Sequence, residues 1–149
     1  LIKKYNNKGE LLATIGSKGS GDGQFQEPIG IAMDKAGNIL VADTWNQRVQ
    51  ILKPDWTFVS KFDISGWYGN SIREPYIAMA SSGNCFLTDT SQSKILEYDL
   101  KGKLLSVLQT DSILGKMSAP IGIAYREEDK KLIISDITGN CIHIISLEK

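Results

Sequence analysis

The phrase PIGIAMDKAGNILVADTWNQRVQILK, starting at Pro28, recurs as PYIAMASSGNCFLTDTSQSKILEYDL from Pro75 and as PIGIAYREEDKKLIISDITGNCIHIISL from Pro120. A repeat constrains a chain strongly, because each copy must fold into the same unit and bury its apolar faces on its neighbours. The marker aspartates Asp43, Asp89 and Asp136 stand 46 and 47 residues apart. The middle copy lacks the early glycine of the other two, and the last carries one extra residue within 126–130. Leu1-Ile2-Lys3-Lys4-Tyr5 and Gly9-Glu10-Leu11-Leu12 match Lys94–Tyr98 and Gly102-Lys103-Leu104-Leu105, so the chain starts in mid-repeat.

Each copy contains short runs rich in Ile, Val, Leu, Phe and Tyr, bounded by turn residues, which is the pattern of strands. In the first complete copy these runs are 29–33, 39–42, 48–52 and 58–62, with turn chemistry at Ala36-Gly37-Asn38 and Pro54-Asp55. Four strands per unit, repeated along the chain, predict an all-β protein of β-propeller blades, each a four-stranded antiparallel sheet. A β-sandwich leaves the likeness between units without a cause. The expected segments are a partial blade at 1–16, blades at 28–62 and 75–108, and a partial blade at 120–147.

The phrase from Pro28 to Gln50, P-x-G-I-A-x-D-x-x-G-N-I-x-V-A-D-T-x-N-x-R-V-Q, resembles the NHL repeat, and with falling fidelity the resemblance extends over nearly the whole chain. It implies an incomplete arc of a six-bladed propeller. The family so resembled includes RNA-binding and protein-binding modules of ubiquitin ligases, amidating lyases and many bacterial proteins; lactonase-like hydrolases have a similar propeller. The expectation drawn here is a non-catalytic binding or scaffold module for a protein, a peptide or a small polar ligand. The alternative is part of a propeller enzyme of lactonase or lyase type whose catalytic residues lie mostly outside this chain.

In an up-and-down meander, the loop between the second and third strands shares an end with the loop that leads into the next blade. One face therefore collects the long segments 16–27, 63–74 and 109–119 together with the bends that follow Asp43, Asp89 and Asp136. Long loops on a rigid scaffold are where binding resides. On that face Trp45, Asn46, Arg48, Trp67, Tyr68 and Arg73 are the candidate binding residues, because aromatic side chains and arginine are enriched at binding hot spots. Trp45, Trp67 and Tyr68 are expected to be at least partly exposed together. Asp43, Thr44, Asp89, Thr90 and Asp136 read instead as structural hairpin caps, since short polar side chains at strand ends bind nearby N–H groups. Phe25 and Met117, each three residues before a repeat proline, read as apolar plugs, as does Ile72. The run Gly19-Ser20-Gly21-Asp22-Gly23 is expected to be a flexible loop, because no helix follows it to give a phosphate site its N–H groups.

No catalytic residue, metal site or cofactor is assigned. A histidine-built zinc site needs more than the single His143, and no Gly-x-Ser-x-Gly elbow is present. The aspartates could supply oxygens to a calcium ion, but capping is the expected role. Cys85 and Cys141, in apolar runs without C-x-x-C spacing, are expected to be buried free thiols. Seventeen basic residues balance seventeen acidic ones, and the long-loop segments carry eight acidic against five basic residues, which disfavours nucleic acid as a partner. The apolar runs are far too short to cross a bilayer. Two strands of a first blade, two full blades and three strands of a last one cannot close a ring. An open arc exposing unpaired strand edges is expected, with the missing blades or a second copy as further partners.

Overall fold

The computed structural model describes residues 1–65, 67, 75–109 and 116–147. Strands β1 (Ile2–Tyr5) and β2 (Leu11–Ile15) form an antiparallel pair, followed by the short parallel pair β3 (Ser17–Lys18) and β4 (Gln24–Phe25). Next comes a four-stranded antiparallel sheet in chain order, β5 (Pro28–Met33), β6 (Ile39–Asp43), β7 (Arg48–Leu52) and β8 (Phe58–Asp63). A second such sheet consists of β9 (Ile77–Met79), β10 (Cys85–Asp89), β11 (Lys94–Tyr98) and β12 (Leu104–Leu108). A three-stranded sheet of β13 (Pro120–Arg126), β14 (Lys131–Asp136) and β15 (Cys141–Ser146) completes the described elements, which include no helix.

Four of the tight turns at one end repeat a single device with glycine. In Asp34–Asn38 the Gly37 N–H donates to Asp34 O, the Asp34 N–H donates to Asn38 O, and Gly37 adopts φ +83°. Gly9, Gly83 and Gly102 hold the same place in their turns, also at positive φ, where a side chain is disfavoured. In the turn after β7 this left-handed position is filled by Trp56.

Alternation along the middle strands gives each four-stranded sheet two buried faces, whereas the last sheet buries one and leaves Ile142 and Ile144 exposed. Ile39 and Val41 face the preceding unit with Phe25 and Leu52, whereas Leu40 and Ala42 join the core shared with the next blade, alongside Cys85, Leu87 and Tyr98. Phe86 and Ile95 in turn meet Leu132 and Ile134 of the last sheet. Stacked rings bridge the seams, Phe62 on Tyr98 and Phe86 on Tyr125. Sheets that bury both faces on flanking copies explain why the repeat, and not a two-layer sandwich, organises the sequence.

The first strands of successive sheets lie side by side. There Gly30 faces the backbone of the next blade: a Cβ on it would lie 2.9 Å from Pro75 O and 3.1 Å from Ile77 N. Gly30 and Gly122 also sit in β-bulges, where the pairing of β5 with β6 and of β13 with β14 shifts by a residue. Strand β9 pairs with β10 in unbroken register, so the residue missing from the middle repeat corresponds to the bulge.

Candidate functional site

The long-loop face is built on the bend between the second and third strands of each blade. In the first complete blade Asp43 pairs with Arg48 and Val41 with Gln50. Residues opposite or two apart on paired strands share a face, so Asp43, Arg48 and Gln50 project together. Asp43 is fully buried. Its Oδ1 accepts from the Gln26 N–H at 2.7 Å, and its Oδ2 accepts from Arg48 Nε at 2.7 Å, Asn46 Nδ2 at 2.9 Å and Gln50 Nε2 at 3.0 Å.

The donors left over grip the 16–27 loop. Arg48 Nη1 donates to Ser20 O, Arg48 Nη2 to Gly21 O and Gln24 O, and Asn46 Nδ2 to Gly19 O. Gln50 donates from Nε2 to Gln24 O and accepts the Gly23 N–H at Oε1. Gly16, at φ +78°, leaves room for the buried Phe25 ring beneath the loop. The glycine-rich stretch is therefore a fastened loop and not the flexible one expected. Its own carbonyls, which composition does not reveal, are the ligands of the guanidinium.

Of the candidate binding residues, Trp45 is 42% exposed at the tip of the bend, with its N–H fixed to Gln26 O, and Asn46 is half-buried. Arg48 is only 4% exposed, with its donors committed to the chain's own acceptors. Trp67 corrects the expected exposure: it is 5% exposed and belongs to the core between the two complete blades, beside Phe62, Ile64 and Ile77. An apolar ring that can reach an inter-blade seam is buried there by the hydrophobic effect, even when its segment begins on the loop face. Tyr68 and Arg73, as well as Ile72, lie outside the described residues. Beside Trp45, residues Asn46, Gln47, Asp63, Ile64 and Ser65 line an open cleft of about 380 Å³.

The other bends vary the same theme. Asp89 Oδ1 accepts from Ser91 Oγ and the Gln92 N–H, and Lys94 Nζ stands 3.8 Å from its Oδ2. Thr90 Oγ1 donates to Pro120 O across the seam to the last sheet, while Thr44 Oγ1 makes a long contact with Ala42 O. Asp136 accepts N–H bonds from Ser118, Ala119, Thr138 and Gly139. Burial pushes its carboxyl up, but the Ser118, Gly139 and Ala119 N–H groups and the His143 ring outweigh burial and hold it down to about 2. Phe25 and Met117 are both buried.

Two features escaped the sequence reading. Gln50 completes the Asp43 cluster, and Cys141, expected to be buried, is exposed and stands with His143 against Asp136. The signal for both was present in the numbering: each lies a hairpin's register away from its repeat aspartate.

Antiparallel four-stranded sheets, each packed by both faces on its neighbours and carrying its long loops at one end, define a β-propeller segment. The NHL repeat family model matches residues 25–52, so an NHL repeat lies in the first complete blade, and the described sheets have the fold of β-propeller blades. Protein lin-41 of Caenorhabditis elegans is 50% identical over 54 residues, covering 36% of this chain and 5% of that protein. Protein brain tumor of Drosophila melanogaster is 27% identical over 143 residues, covering 91% of this chain and 14% of that protein. This chain thus spans a small part of such relatives. Among solved structures, virginiamycin B lyase from Staphylococcus aureus superposes with a TM-score of 0.68 at 20% identity, over 97% of this chain and 45% of that one, a likeness of fold.

Proposed function

We propose that the chain is a non-catalytic binding module within a longer protein, whose partner is a protein or peptide docking on the long-loop face around Trp45 and the cleft beside it. The observation that carries this reading is the contrast at one bend. Polar side chains that could have gripped a small ligand turn inward to fasten the loops, whereas the large indole of Trp45 stays outside on a backbone tied to Gln26. A rigidly mounted exposed aromatic beside an open cleft favours a macromolecular partner, because it contributes contact area at little entropic cost. Asn46, Gln47 and Asp63 place polar groups at its margin.

Selection of a random peptide library on the immobilised 149-residue chain tests the reading. Enriched peptides are expected to lose about tenfold or more in affinity on Trp45→Ala, and to bind Lys35→Ala, at the opposite end, as they bind the parent chain. Peptides indifferent to Trp45, or weakened equally by both changes, would overturn it.

A further inference from the structure

Asp136, Cys141 and His143 bring three metal-ligating atoms of different chemistry within 4.8 Å of one another. The sheet dictates their meeting: Asp136 pairs with Cys141 across β14 and β15, Ile134 pairs with His143, and the three side chains share a face. That face looks toward the blade of β9–β12, where Leu132 and Ile134 pack on Phe86 and Ile95.

The same three positions are Asp43, Arg48 and Gln50 in the first complete blade, and Asp89, Lys94 and Leu96 in the second. Each of those buried aspartates has a cation against it, Arg48 at 2.7 Å and Lys94 at 3.8 Å. In the last blade a thiol replaces the cation and an imidazole stands two pairs further in, although Asp136 is as buried as its counterparts, at 2% exposure. A buried carboxylate in this repeat has a positive charge beside it, and here the chain offers metal ligands in its place.

The geometry separates two uses of such a trio. His143 Nε2 lies 3.4 Å from Cys141 Sγ and 3.3 Å from Asp136 Oδ2. A nucleophilic thiol relay needs these contacts on opposite ring nitrogens, one to take the thiol proton and one to be oriented by the carboxylate. Here a single nitrogen faces both partners, and the three donor atoms lie within 4.8 Å of one another. Zinc bonds of about 2.0–2.3 Å at tetrahedral angles set ligand separations of roughly 3.3–3.6 Å, and both measured separations fall in that range.

We propose that Asp136 Oδ2, Cys141 Sγ and His143 Nε2 form a binding site for a zinc-class divalent cation, its fourth position facing solvent on the long-loop face. Thiolate and imidazole together select a borderline-soft ion over calcium or magnesium. Asp136 is held in place by the N–H groups of Ala119, Thr138 and Gly139 on Oδ1, which leaves on Oδ2, beside the Ser118 N–H, a lone pair for the ion. On binding, the Cys141 thiol loses its proton to solvent and its sulfur bonds the metal as thiolate.

Titration of the reduced 149-residue chain with cobalt(II), followed by zinc competition, tests the site. The expected result is a thiolate-to-cobalt charge-transfer band that saturates at one ion per chain and is displaced by zinc. Cys141→Ser is expected to abolish the band, His143→Gln to weaken zinc binding about tenfold or more, and Cys85→Ala to leave both unchanged. The absence of a thiolate band at saturating cobalt, or its survival in Cys141→Ser, would overturn the proposal, leaving His143 as a simple hydrogen-bond partner of Asp136.

Discussion

Arg48 Nε donates to Asp43 Oδ2 at 2.7 Å, and the same guanidinium reaches Ser20, Gly21 and Gln24 carbonyls, so one side chain both neutralises a buried carboxylate and fastens the preceding loop. Arg48→Met removes the cation while Asp43 stays buried. A loss of about 3–5 kcal/mol in urea unfolding is expected, with amide exchange in residues 19–25 accelerated beyond the global effect. Arg48→Lys is expected to restore part of the stability and little of the loop protection, since an ammonium cannot present the guanidinium fork. Loop protection in either variant unchanged from that of the parent chain would show that Arg48 does not hold it.

Trp45 and Trp67, whose segments both start on the loop face, are expected to differ in their effect on stability. Trp67→Ala empties a seam between blades and is expected to cost about 3–5 kcal/mol, whereas Trp45→Ala is expected to change stability by no more than about 0.5 kcal/mol. Chemical denaturation of the two variants measures both, and similar losses would contradict the difference in burial.

Gly30→Ala is expected to destabilise the chain by about 1–3 kcal/mol through overpacking, because the added methyl meets Pro75 O and Ile77 N, backbone atoms that cannot rotate away. Thermal unfolding reads the effect, and an unchanged midpoint would mean that the first strands separate readily.

The cysteines are expected to differ in reactivity. Burial pushes the Cys85 thiol up to about 12, with the nearby Asp99 and Glu97 charges adding to it, so it supplies almost no thiolate at neutral pH. Cys141 is exposed. In chelator, a disulfide reagent is expected to modify one thiol in the native chain and a second only after denaturation; two fast thiols in the native chain would contradict the packing of Cys85.

Acid is expected to act through Asp136. Its carboxyl, held at about 2 in the fold against an ordinary 3.8, contributes stability that is complete above the unfolded value and is lost as pH falls through the folded one. The contribution is about 2 kcal/mol. In chelator, denaturation midpoints of the parent chain are therefore expected to decline between roughly pH 4 and pH 2, and a flat profile over that window would contradict the N–H cage.

The sequence alone determined the repeat, the strands to within a residue of 29–33, 39–42, 48–52 and 58–62, and the blade-like stacking, because periodic apolar residues and turn glycines act over short separations. It also marked Asp43, Asp89 and Asp136 as one recurring position. Tertiary structure decided what each aspartate meets. Gln50 joining Asp43, the 19–23 loop closing on Arg48, and Cys141 with His143 turning to Asp136 depend on cross-strand register and on which face meets which neighbour. Trp45 and Trp67 show the same division: composition made both candidates for a surface, but Trp67 packs into the seam between two blades while Trp45 stays exposed at the tip of its bend. Residue types fix local conformation through propensity and spacing, whereas exposure is a property of the space left between packed sheets.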